Sequence, residues 1–105
     1  MDVRHRINFF DTEIQVIKEE EDLFHVGIVS KATALGSGNV LEEYSSEPVA
    51  IEAAERLCRI YSVAKESGYH LLGNFFTKHD KEQVNAIDLM NADFSNEQIA
   101  SHFQV

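Results

Sequence analysis

The chain has 105 residues, 44% of them hydrophobic and 26% charged, an ordinary globular composition that suits one domain over residues 1–105 and excludes disordered, collagen-like and coiled-coil chains. Nine Lys and Arg against eighteen Asp and Glu give a formal charge of −9, spread over both halves, so the surface repels nucleic-acid phosphates and anionic lipid and favours basic partners. No apolar run approaches the roughly 18 residues of a membrane span, no signal-peptide core follows the N-terminus, and a single cysteine forms no internal disulfide; a cytoplasmic protein is expected.

The first forty-odd residues read as strands. Ile7-Asn8-Phe9-Phe10 is a short apolar run, and Glu13 to Lys18 alternates as far as Ile17, which faces the other way. Leu23 to Ser30 sets Phe24, Val26 and Ile28 on one face and His25, Gly27 and Val29 on the other. Between these strands, Glu19-Glu20-Glu21-Asp22 predicts a four-residue hairpin connection, because no Asn-Gly pair is present for a two-residue turn. Gly36-Ser37-Gly38 marks a loop, after which Val40 to Tyr44 returns. The outcome is an antiparallel meander of three to four strands.

A long helix follows. Ser46 suits an N-cap, Glu47 and Pro48 suit the first turn, and Gly68 suits the stop after a helix running to about Ser67. At 100° per residue, Ala50, Ala53, Ala54, Leu57, Cys58, Ile60, Tyr61 and Ala64 fill one broad arc, which would pack on the sheet. Glu52, Glu55, Arg59, Ser62 and Glu66 lie opposite, with Glu52–Arg56 and Glu55–Arg59 in the favourable acid-first order.

Leu71 to Phe76 reads equally as an edge strand or a buried loop. Asp80 then predicts the cap of a short helix with Gln83 at its third position and Val84, Ile87 and Met90 on one face. Ser95-Asn96-Glu97-Gln98 is a second capping box, opening a last helix with Ile99, Ala100 and Phe103 inward. The fold class is α+β, a meander packed by one long helix and followed by two short C-terminal helices.

Motifs for chemistry are sparse. Gly36-Ser37-Gly38 is neither a nucleophile elbow nor a phosphate loop, since no helix or lysine follows it. The five histidines include no pair at metal-ligand spacing on one helical turn, and His79-Asp80 is the one adjacent His–carboxylate pair. Cys58 sits in mid-helix with Arg59 as its basic neighbour, a packing position rather than a reactive one. Residues 86–103, AIDLMNADFSNEQIASHF, resemble the opening half of a helix-turn-helix: apolar helix, polar turn, Ser cap and an Ile-Ala pair. That resemblance implies phosphate contacts by basic residues, yet residues 82–105 contain no Lys or Arg, and no functional residue carries over.

The reading is a small acidic protein-interaction module without catalytic activity, cofactor or metal. Its expected contact surface is an acidic patch of Glu19, Glu20, Glu21, Asp22, Glu42 and Glu43, its partner a protein of open identity for which a basic surface would fit, and either a homodimer or a monomer with an apolar docking patch is expected, because the strands carry apolar residues on both faces. Two alternatives stand beside it. One is an acidic inhibitor, of the phage or mobile-element type, that occupies the nucleic-acid-binding surface of a host protein. The other is a small-ligand binder walled by Phe9, Phe10, Phe24, Tyr44, Tyr61, Phe75 and Phe76.

Overall fold

The computed structural model describes residues 2–9, 12–30, 38–92 and 94–103. They form an α+β fold whose contacts gather into two compact units, residues 1–55 and 56–105, with one helix running from the first into the second.

The first unit is built on four strands, β1 (Asp2–Phe9), β2 (Thr12–Glu20), β3 (Leu23–Ser30) and β4 (Gly38–Tyr44), each antiparallel to the next in chain order. Alternation fixes the register. Ile14 pairs with Ile28 and Val16 with Val26, so these four side chains turn to one face and are buried there with Phe24 and Leu41. The β2–β3 connection is tighter than the acidic run predicts. Glu20 pairs with Leu23, leaving Glu21 and Asp22 as a two-residue turn, and the register slips between Lys18 and Glu20. Neither turn residue has a positive φ, so the twist that a type I′ turn would supply is taken up by the irregularity around Glu19. Phe10, Gly36 and Ser37 lie outside the described residues.

The long helix, α1 (Glu47–Glu66), starts where the sequence predicts: the Ala50 amide donates to the Ser46 carbonyl at 3.0 Å. In the first unit Ala50, Ala53 and Ala54 are buried, and Arg4 on β1 donates from Nε to Glu47 Oε1 at 2.6 Å, joining strand to first turn. The hydrogen bond to Glu47 and the charges of Glu47 and Asp2 hold the Arg4 guanidinium above its ordinary value. At the other end Gly68 has φ +87°, the Gly68 amide donates to Lys65 O and the Tyr69 amide to Ala64 O. This pair of bonds is a Schellman ending, and the left-handed residue it needs is why glycine stands there.

The second unit contains a small sheet that the sequence leaves open. β5 (His70–Leu72), β6 (Phe75–Thr77) and β7 (Val84–Asn85) pair antiparallel in that order. Leu71 to Phe76 is therefore a hairpin. Its Gly73-Asn74 turn has φ +63° at Gly73, the pattern of a type II′ turn.

Two short helices follow, α2 (Ala86–Met90) and α3 (Asn96–Ser101). The expected Asp80 cap is corrected: Asp80 adopts φ +63° in a turn, Val84 pairs with Phe76, and Asn85 caps α2 by accepting from the Ile87 and Asp88 amides. The start moves later, so the buried face is Ala86, Leu89 and Met90 rather than Val84, Ile87 and Met90. The Ser95–Gln98 capping box forms as read. Around these elements Leu57, Ile60, Phe76, Ile99 and Phe103 are fully buried. The rings of Tyr61, Phe76, Phe103 and Tyr69 meet edge to face in sequence, with centroids 5.7, 5.4 and 5.0 Å apart.

Candidate functional site

The predicted acidic patch is only partly one surface. Pairing sets His25 between Ile17 on β2 and Glu43 on β4, on the face opposite Phe24 and Val26. There the His25 ring is flanked by two carboxylates, Nδ1 3.4 Å from Glu19 Oε1 and Nε2 3.2 Å from Glu43 Oε2. Glu42 is different. It pairs with Val26, which places it on the core-facing side of β4. Glu20, Glu21 and Asp22 are exposed at the turn, where Lys18 Nζ lies 3.9 Å from Glu21 Oε2.

Thus Glu19 and Glu43 converge on His25, while the turn acids project beside them and Glu42 stands apart. Sequence reasoning missed His25 as a member of this group. The signal was present, for strand alternation already separated His25 from the core face; only the β3–β4 register places Glu43 opposite it. The two ring nitrogens thus each face a carboxylate oxygen within 3.4 Å. The same carboxylates suit a Lys or Arg of another protein.

Other candidates resolve into structural roles. Burial pushes the Cys58 thiol up, with Arg59 pulling it down less strongly, which disfavours the thiolate a nucleophile needs. His79 and Asp80 meet at 3.3 Å but are almost wholly exposed. Among the described residues no group of three or more His, Cys, Asp or Glu is placed to hold a metal ion. Arg56, expected to pair with Glu52, instead donates to the carbonyl of Met90.

The second unit carries an open cleft of about 520 Å³ between the β6–β7 connection and the C-terminal helices. Tyr69, Val84, Leu89 and Phe94 form its apolar walls. Of the aromatic residues expected to wall a ligand site, none that is described lines it: Phe24 and Phe76 are buried in the cores, and Phe75 is exposed beside Leu72 at the β5–β6 hairpin; Phe10 lies outside the described residues. Compared with protein-family models, curated proteins and solved structures, the chain matches none. No helix among the described residues is long and apolar enough to cross a membrane.

Proposed function

We propose that this chain acts by binding another protein, without catalysis, through the acidic end of its first sheet. The carrying observation is the convergence of Glu19 and Glu43 on His25, with Glu20, Glu21 and Asp22 exposed at the neighbouring turn. A basic segment of a partner gains charge-assisted hydrogen bonds there, and the net charge of −9 speeds its approach. The partner is a basic protein rather than nucleic acid or lipid, because the same field opposes both. A cytoplasmic setting fits the one free thiol.

The test is a pair of charge-reversed variants compared by affinity capture at two salt concentrations. Glu20→Lys/Glu21→Lys/Asp22→Lys changes the proposed surface, while Glu52→Lys/Glu55→Lys/Glu66→Lys makes the same charge change on exposed helix positions. Captured proteins should be lost with the first variant and kept with the second. Equal losses would reduce the effect to overall charge. The exposed pair Leu72 and Phe75 supports a second contact, between two copies of the chain. Light scattering with size exclusion should then show a dimer that Leu72→Ser/Phe75→Ser dissociates; a monomer of 11.9 kDa at every concentration removes it.

A further inference from the structure

Tyr69 is the residue in the second unit whose chemistry the packing leaves unused. It is 6% exposed. Its ring is held on two sides, by the edge of Phe103 at 5.0 Å and by Lys78 Nζ 5.6 Å from its centroid, and its backbone is pinned by the bond to Ala64 O. Lys78 is itself anchored, donating to Ser67 O at 2.7 Å. The Tyr69 hydroxyl, by contrast, makes no hydrogen bond among the described residues. It is not sealed in either, since no buried side-chain oxygen or nitrogen among them lacks a partner. The small exposed part of Tyr69 therefore includes its hydroxyl, and Tyr69 is one of the residues that line the cleft. A phenol on a ring held on two sides, in the lining of a cleft of ligand size, is a pre-organised polar anchor.

The mouth of the cleft sets the charge of what fits. Lys81, Glu82 and Asp88 line it and are exposed, two carboxylates against one ammonium. His102 lies 5.1 Å from Phe94, the two rings inclined at 39°, so one wall is aromatic. We propose that this cleft binds a small aromatic amine: its ring on the Phe94 and Leu89 wall, a polar substituent at the Tyr69 hydroxyl, and its ammonium toward Glu82 and Asp88. This site lies wholly within the second unit and does not depend on the protein-binding reading.

The test uses three probes on one scaffold: tyramine, uncharged 4-ethylphenol and anionic 4-hydroxyphenylacetate, each titrated into the ¹⁵N-labelled full chain. Tyramine should shift the amides of Val84, Leu89 and His102 saturably, 4-ethylphenol should bind more weakly, and 4-hydroxyphenylacetate weakest of all. Tyr69→Phe should weaken tyramine about tenfold, the loss of one hydrogen bond, at unchanged melting temperature. Glu82→Gln/Asp88→Asn should abolish the preference for tyramine over 4-ethylphenol. If Tyr69→Phe lowers the melting temperature, the double variant decides alone, because both of its positions are exposed. No saturable shift with any probe up to about 10 mM, roughly ten times a millimolar dissociation constant, overturns the proposal, as does tighter binding of the anion.

Discussion

In the first unit, strands of seven to nine residues build the core by alternation, with Ile14 and Val16 of β2 and Phe24, Val26 and Ile28 of β3 sharing one buried face. In the second, no described strand exceeds three residues, the two C-terminal helices have five and six, and the core is held by four aromatic rings meeting edge to face. Elements so short cannot stabilise themselves, since a helix under about 12 residues is marginal in water. Their ends must each be closed by a particular residue: Asn85 and Ser95 cap the two short helices and Gly73 turns the hairpin, while Gly68 ends α1. Stability is thus distributed along the strands of one unit and concentrated at single positions in the other.

That contrast can be tested by single substitutions, beginning with those expected to be most severe. Leu57→Asp places a carboxylate where no surface is exposed, at a cost of several kcal/mol, and thermal melting should show a chain largely unfolded at 37 °C. Phe103→Ala removes a ring packed against both Tyr69 and Phe76 and should cost about 3–5 kcal/mol in urea unfolding. One transition followed by both near- and far-ultraviolet circular dichroism would show the shared helix coupling the units; two would show them melting apart.

Gly68→Ala forces a side chain into φ +87° with its Cβ 3.3 Å from the Lys78 tail, at about 1–2 kcal/mol. Gly73→Ala has open space and should cost less, about 1 kcal/mol, from the positive φ alone. Asn85→Ala should cost about 1 kcal/mol while Gln83→Ala is almost neutral, the reverse of what the Asp80–Gln83 signature predicts. Smallest of all is Glu55→Ala on the exposed arc of α1, within about 0.5 kcal/mol; a larger loss there means the helix face is misassigned.

What was legible followed the same division. Phe24, Val26 and Ile28 announced their face through a period of two, and the α1 arc through a period of 3.6, because long elements repeat their signal many times. The 70–77 hairpin stayed ambiguous because Leu71-Leu72 and Phe75-Phe76 are doubled, which hides alternation in strands of three. Asp80 and Gln83 spell a helix start correctly as local chemistry, but pairing of Val84 with Phe76 overrides it. The candidate site was half visible. The acids of the turn stand together in the sequence, whereas the meeting of Glu19, His25 and Glu43 depends on a register between strands 18 residues apart. The cleft was not legible at all, since Tyr69 owes its placement to the helix ending and to rings distant in the chain.

The outer strands of the four-stranded sheet have a consequence for the chain in crowded solution. β1 carries Asp2, Arg4 and Arg6 exposed at alternate positions, and β4 carries exposed Glu43. Both strands also break register against their inner neighbours, at Val3/His5 and at Val26/Gly27. Fibril growth requires a flat strand with little charge that stacks on identical copies of itself. Here a β4 meeting another β4 brings acid to acid, and the irregularities twist each border away from a flat template. The charge proposed to attract a basic partner also disfavours the sheet as a seed for its own kind.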